Sequence, residues 1–363
     1  MAPIPDQNPK VMKRMNTPGN HTARASQPGS VPSVQETSYL SRPEGRIGYD
    51  VAGDGALVVL VPGMGDLRAG CRFLAPGLRA AGYRVACTDL RGHGHSDATF
   101  TSYGDEETAG DVIALLEVLG GPAVVVGNSI GTGAAVLAAA QRPELVSGLV
   151  LVGPFVRNGK TSTVRRLLLR ATMAPPWAAI SCKSYLPKLY AGRRPADFGD
   201  YRDQVITSMR RPGYAKAFSR TTRTSHDPAQ ARLADVTAPA LVVMGEQDPD
   251  FPDPRAEADW VARALRARVV MVPGAGHYPS CSGLTSPPAR CCASWNRSRG
   301  VPRARLIQAS RAVILRVAAG KARILAGGRV RGQGPGRRWF AGGTCACPGW
   351  LIGMTATTWG YRP

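Results

Sequence analysis

The sequence predicts an α/β fold, a mostly parallel sheet covered by helices on both faces, and three observations predict it. Short β-branched runs recur along the chain: ALVVLV, YRVACTD, PAVVVGN and LVSGLVLVG, then after a gap APALVVMG and ARVVMVPGAGH. Most are apolar at nearly every position rather than at every second one, as strands buried on both faces are. Helical patterns stand between them, as the crossovers of a parallel sheet require.

The elements follow in order. Residues 1–37 are rich in Pro, Asn, Ser, Gln and Thr with little apolar periodicity, the composition of a disordered leader. From about residue 38 the pattern alternates: RIGYDVAG, a Gly-Asp-Gly turn and ALVVLV read as two strands joined by a short turn. LRAGCRFLAPGLRAAGY is helical, and residues 103–119 place acids in a first turn with apolar residues at helical spacing behind them. Residues 38–153 therefore form the first part of a core. Residues 154–236 break the rhythm with aromatics, many arginines and helical signals, and are expected to form an inserted helical cap. The core resumes at 237–279, with a helix from about Pro254 to Leu265 between its last two strands.

The 363 residues carry a formal net charge of +21, which would suggest a nucleic-acid partner if it were spread evenly. It is not. Residues 281–363 hold thirteen arginines, one lysine and no acidic residue, so a nucleic-acid role is expected only through that tail. Five of the eight cysteines also lie there; Cys71, Cys87 and Cys182 are scattered through the rest, as in a reduced compartment. No run approaches a membrane span, and the basic N-terminus lacks an apolar segment behind it, so a cytoplasmic protein without a membrane partner is expected. After Pro279 the core still lacks a closing helix. If Ser280 and Ser282 use AGC codons and the rest follow the usage of a GC-rich gene, a one-base shift would encode an amphipathic closing helix, so residues from about 280 onward are expected to be out of frame.

The chemistry is concentrated in a few places. Gly127-Asn128-Ser129-Ile130-Gly131 ends one apolar run and opens the helical TGAAVLAAAQR, so Ser129 sits at the tip of a sharp strand-to-helix turn with its hydroxyl exposed. A free hydroxyl is a poor nucleophile at neutral pH; it needs a base, and the base needs an orienting acid. Asp248 lies three residues past Gly245 at a strand end, and His277 lies just past the last strand, in the order nucleophile, acid, histidine. Of the other histidines, His21 falls in the leader, His93 and His95 in a glycine-rich loop, and His226 in the cap. Asp250 and Asp253 share the loop and leave a choice of acid; Asp248 is the expected one, and the other two read as solvated or helix-capping carboxylates. Two backbone N–H groups are needed for a developing oxyanion: Ile130 supplies one, and Met64, between Gly63 and Gly65, supplies the other.

VPGMGD, DLRGHGHSD at 89–97, VVVGNSIG, MGEQDPDFPD and PGAGHYP together resemble the α/β-hydrolase superfamily, and within it the serine-dependent, esterase-like members with a helical cap, over residues 45–279. The resemblance implies the α/β-hydrolase fold. It also implies a structural loop beside the site formed by Asp89, Arg91, Gly92, His93, Gly94 and Ser96, and chemistry without a cofactor. No metal is expected, since the His93/His95 pair lacks a third ligand. Asn128 stands where the superfamily often has histidine. Ser129 stands where its haloalkane dehalogenases and epoxide hydrolases have aspartate, which weighs against those two activities. The expected reaction is cleavage of a small-molecule ester or related acyl bond through an acyl-enzyme on Ser129. Carbon–carbon bond hydrolysis and perhydrolysis use the same triad, and a fold of this kind that binds a ligand without turnover is a third alternative. Neither the substrate nor the oligomeric state is written in these motifs.

Overall fold

The computed structural model describes residues 36–159, 162–192 and 194–282. Eight strands, β1 (Ser38–Arg42), β2 (Gly45–Ala52), β3 (Leu57–Val61), β4 (Arg84–Thr88), β5 (Ala123–Asn128), β6 (Val146–Val152), β7 (Ala240–Gly245) and β8 (Arg268–Val272), form one sheet. Their order is β1-β2-β4-β3-β5-β6-β7-β8. β2 runs antiparallel to β1 and β4, and every pairing from β4 to β8 is parallel. The expected α/β class is therefore the observed one.

Among the described residues ten α-helices accompany the sheet: α1 (Ala75–Ala80), α2 (Asp105–Leu119), α3 (Ile130–Gln141), α4 (Thr163–Thr172), α5 (Ala178–Leu189), α6 (Phe198–Met209), α7 (Tyr214–Thr221), α8 (Asp227–Ala231), α9 (Pro254–Leu265) and α10 (Pro279–Ser282). Among the described residues none is long and apolar enough to cross a membrane. Two expectations are refined. β2 and β3 are joined by a short turn but are not neighbours, because β4 lies between them; the hairpin partner of β2 is β1, whose SYLSR has a single buried residue and so no apolar run to announce it. The helical pattern after β3 divides into a 3-10 stretch (Arg68–Phe73) and α1, with Pro76 in the first turn of α1, where a missing N–H leaves no bond unmade.

Alternation along each strand builds two cores. Val59, Val125, Leu149 and Leu151 face α2 and α3, whose Leu115, Leu116, Ala134 and Ala138 pack against them. Val58, Leu60, Val124 and Val126 face the other way, toward Ala75 and Leu78 of α1. The run of alanines along α3 lets that helix lie close to the sheet beneath the Ser129 turn.

Between β6 and β7 the chain leaves the sheet as α4–α7, and a third cluster forms there from Cys182, Leu186, Tyr190, Tyr201, Val205 and Phe218, joined by Tyr278 after β8. The end of the 154–236 segment returns to the main body, since Ala229 of α8 and Leu233 belong to the α2–α3 cluster. The leader reading for most of residues 1–37, and the out-of-frame and nucleic-acid readings of the tail, fall outside the described residues.

Candidate active site

β5 ends at Asn128, and the chain enters α3 through Ser129, which stands at φ 55° and ψ −125°. A serine held at positive φ is strained. Glycines make the turn this tight: a Cβ on Gly127 would overlap the Gly131 carbonyl oxygen, and one on Gly131 would lie 2.7 Å from the Val61 carbonyl oxygen. Hydrogen bonds hold the strained residue in place. The Ser129 N–H donates to the Val152 carbonyl at 3.0 Å, and the Ser129 carbonyl accepts from the Thr132 N–H at 2.9 Å and from Thr132 Oγ1 at 2.5 Å.

The loop after β3 closes over this turn, so that a Cβ on Gly63 would come 2.9 Å from Ser129 Cβ. Within the loop the Asp66 N–H donates to the Gly63 carbonyl at 3.2 Å, and the Gly65 N–H donates to His93 Nε2 at 3.0 Å. His93 Nδ1 lies 2.8 Å from the Arg91 carbonyl, which assigns its proton to Nδ1 and leaves Nε2 to accept. Burial lowers the His93 pKa from the usual value, outweighing the raising effects of the Arg91 carbonyl and Asp89, so the ring is held neutral for that task. Asp89 anchors the same loop by accepting the Arg68 N–H at 2.8 Å and the His95 N–H at 2.9 Å. The N–H groups of Met64 and Ile130 have no acceptor among the described residues.

His277 follows β8 and Asp248 follows β7, and both are 2% exposed. His277 Nδ1–H donates to Asp248 Oδ2 at 2.7 Å, while Asp248 Oδ1 accepts the Asp250 N–H at 3.0 Å. Asn128 Nδ2 donates to the His277 carbonyl at 3.4 Å, so the serine turn and the histidine loop meet directly. Burial works against a protonated His277. The hydrogen bond and charge of Asp248, helped by the charges of Asp250 and Asp66, outweigh it and hold the imidazole pKa above the usual value. Ser129, Asp248, His277, Met64 and Ile130 thus gather at the C-terminal ends of β3, β5, β7 and β8, where an open α/β sheet places its ligands.

Two further carboxylates join them, Asp250 against its expected role and Asp66, which the motifs did not single out. Asp250 is neither solvated nor a helix cap: its Oδ2 lies 3.6 Å from His277 Nδ1, and its Oδ1 accepts from the hydroxyl of Tyr185 on α5, which packs across it. Asp253 does cap α9, accepting the Ala256 N–H at 2.9 Å. Asp66, directly after the Met64 loop, is 5% exposed and accepts from the Tyr201 hydroxyl of α6 and, at 2.9 Å, from the Leu67 N–H. Burial pushes its pKa up to about 7, against the Leu67 N–H, Arg72 and His277, which lower it. Its place in the VPGMGD motif was the available signal.

Asp248, Asp250 and His277 each offer an atom within 4.8 Å of the others, the one grouping of this kind among the described residues that could hold a metal ion. The His277 and Asp250 N–H groups already occupy both Asp248 oxygens, which suits a hydrogen-bonded dyad.

Residues 58–293 match the family model described as the alpha/beta hydrolase family. The chain belongs to that family. The match begins inside β3 and runs past the boundary at 279 that the motifs alone suggested. Over 215 residues this hydrolase is 27% identical to the 2-(acetamidomethylene)succinate hydrolase of Mesorhizobium japonicum, covering 54% of the chain and 72% of that protein. It is 34% identical to an epoxide hydrolase of Caballeronia sordidicola over 119 residues, 32% of the chain and 36% of the relative. A bromoperoxidase of Bacillus anthracis shares the fold with a TM-score of 0.62 at 18% identity, over 78% of this chain and 99% of that one.

Proposed function

We propose that this alpha/beta hydrolase cleaves an ester or related acyl bond of a small molecule through an acyl-enzyme on Ser129. The observation that carries the reading is the buried His277–Asp248 pair, joined at 2.7 Å and set against the strained turn that bears the serine. In this reading His277 Nε2 takes the Ser129 proton as Oγ attacks the carbonyl carbon. Asp248 fixes the tautomer and stabilises the imidazolium, and the Met64 and Ile130 N–H groups receive the oxyanion. The tetrahedral intermediate then collapses, His277 gives the proton to the leaving alcohol, and water releases the acyl group by the same steps. The reaction is expected to need no cofactor and to take place in the cytoplasm.

Ser129 also separates the reading from epoxide opening, despite the local likeness to an epoxide hydrolase, because the superfamily's epoxide hydrolases resembled above carry aspartate at that position. Carbon–carbon hydrolysis and perhydrolysis would use the same residues, the substrate being chosen by the cap.

The test is covalent as well as kinetic. A fluorophosphonate should label the parent at Ser129, and Ser129→Ala should lose the label along with about 10³-fold or more of its p-nitrophenyl ester hydrolysis. A Ser129→Ala protein as active as the parent would refute the assignment. A parent that folds but takes no label would point to a ligand-binding relative without turnover.

A further inference from the structure

Among the described residues α4 is a ten-residue helix with no buried member. Val164, Leu167, Leu168 and Ala171 fall at the i, i+3, i+4, i+7 spacing of a single apolar stripe, yet Val164 is 76%, Leu167 58% and Leu168 63% exposed. Trp177 and Ile180, each 58% exposed, continue the patch onto the start of α5. The Ser181 hydroxyl donates to the Thr172 carbonyl at 2.7 Å and ties the two helices together. A helix this short is marginal in water unless its apolar face is covered, and an apolar patch of this extent marks an interaction surface.

The charge around the patch selects what covers it. Residues 154–196 contain nine basic residues and no acidic one. Arg165, Arg166 and Arg170 interleave with the leucines of α4 in the sequence. Arg170, Lys183 and Lys188 are exposed, and none has a carboxylate within ion-pair distance among the described residues. A leucine-rich stripe, a basic flank and a tryptophan at the edge make up the pattern of a helix lying in the plane of an anionic lipid surface. There the leucines enter the acyl boundary, the indole sits at headgroup level and the long cationic stems reach back to the phosphates.

We propose that the outer edge of α4 and α5 docks this protein on an anionic lipid bilayer surface. The sequence expectation of no membrane partner rested on the lack of a spanning run, and adsorption to a surface needs none. The opposite face of α5 carries Cys182, Tyr185 and Leu186 toward the interior, with Tyr185 on Asp250 beside His277, so the helix that meets the lipid also roofs the candidate active site.

Vesicle sedimentation of the full chain tests the docking, using phosphatidylcholine vesicles with and without phosphatidylglycerol. The parent should pellet with the phosphatidylglycerol vesicles, stay soluble with phosphatidylcholine alone, and be released by high salt. Arg170→Gln with Lys183→Gln should lower the partition coefficient by about 25-fold, roughly five-fold per charge. Leu167→Gln with Leu168→Gln should abolish pelleting while leaving the thermal melt unchanged, since both side chains are exposed. Brominated lipid should quench parent fluorescence, and Trp177→Phe should remove that quenching. Equal pelleting with neutral vesicles would overturn the proposal. So would undiminished pelleting of the Leu167/Leu168 variant, which would assign the binding to the basic segment after residue 280. A parent that ignores vesicles but dimerises, and becomes monomeric in the Leu167/Leu168 variant, would make a second copy the occupant.

Discussion

The sheet and the first half of the cap treat charge in opposite ways. Beneath the sheet's loops cations are held by carboxylates: Arg68 lies between Asp50 at 3.0 Å and Asp89 at 2.5 Å, and Arg91 and Arg42 share Asp111 at 2.7 and 2.9 Å. Residues 154–196 supply only cations; Arg157 pairs with Glu257 of α9 at 2.5 Å, while Arg170, Lys183 and Lys188 face solvent. Where the two regions meet over the candidate site, the cap contributes phenols instead: Tyr185 on Asp250 and Tyr201 on Asp66. A guanidinium there would cancel the carboxylate charge. At Asp250 a tyrosine satisfies the oxygen without cancelling the charge that acts on His277.

The largest expected effect breaks the dyad on the core side. Asp248→Asn should leave the fold intact and lower kcat by about 10³–10⁴-fold, because the amide no longer favours the tautomer with the proton on Nδ1. Asp250→Asn separates charge from orientation, since its charge reaches His277 from 3.6 Å without holding the ring. Protonated His277 cannot act as a base, so kcat/KM rises with pH through its pKa, which lies above the usual 6.5. Removing the Asp250 charge should move that acid limb to lower pH with a smaller loss of kcat. An unmoved limb in the pH profile would show that Asp250 does not act on the imidazole.

Asp66 tests the cap side, through stability. Its pKa of about 7 in the folded protein exceeds the ordinary carboxylate value of 3.8, so the folded state binds more protons between those limits. Stability from this group is therefore fully present below pH 3.8 and is lost as pH rises through about 7. Asp66→Asn keeps the acceptor for Tyr201 and Leu67 but stays neutral. It should match the parent in acid and exceed it above pH 7 by on the order of 2–4 kcal/mol in urea denaturation. Parallel pH–stability curves for the two proteins would place Asp66 in a more solvated setting than its burial indicates.

The core and the pieces of the site carried on it were legible because backbone geometry restricts which residues can stand there. Only small flanks permit the Ser129 turn, and Asp248 and His277 stand in the loops after neighbouring strands of the same parallel sheet. The cap's contribution was hidden for a different reason. Tyr201 reaches Asp66 across 135 residues of sequence and Tyr185 reaches Asp250 across 65, and nothing local to a tyrosine marks a distant carboxylate. Asp250 looked solvated because the helix that covers it comes from that insertion. The helical character of RRLLLRAT was readable, but an amphipathic stripe reads the same whether it packs on protein or faces outward.

The smallest effects come from adding one methyl group to each region, and their signs should be opposite. At Gly127 a Cβ would overlap the Gly131 carbonyl and come 2.7 Å from the Thr132 nitrogen, so Gly127→Ala must push α3 from the sheet. A loss of about 1–3 kcal/mol is expected, with activity falling as Ser129 moves. Gly199, in the first turn of α6, has no atom within 4 Å of such a Cβ, and its φ is not in the left-handed region. There alanine restricts the unfolded chain and favours the helix at no steric cost. Gly199→Ala should raise stability by about 0.5 kcal/mol, a melting temperature higher by roughly 1–2 °C, with ester hydrolysis unchanged. A destabilised Gly199→Ala protein would mean that the start of α6 is covered in solution, and the contrast between a close-packed core and an open-faced cap would then fail at this helix.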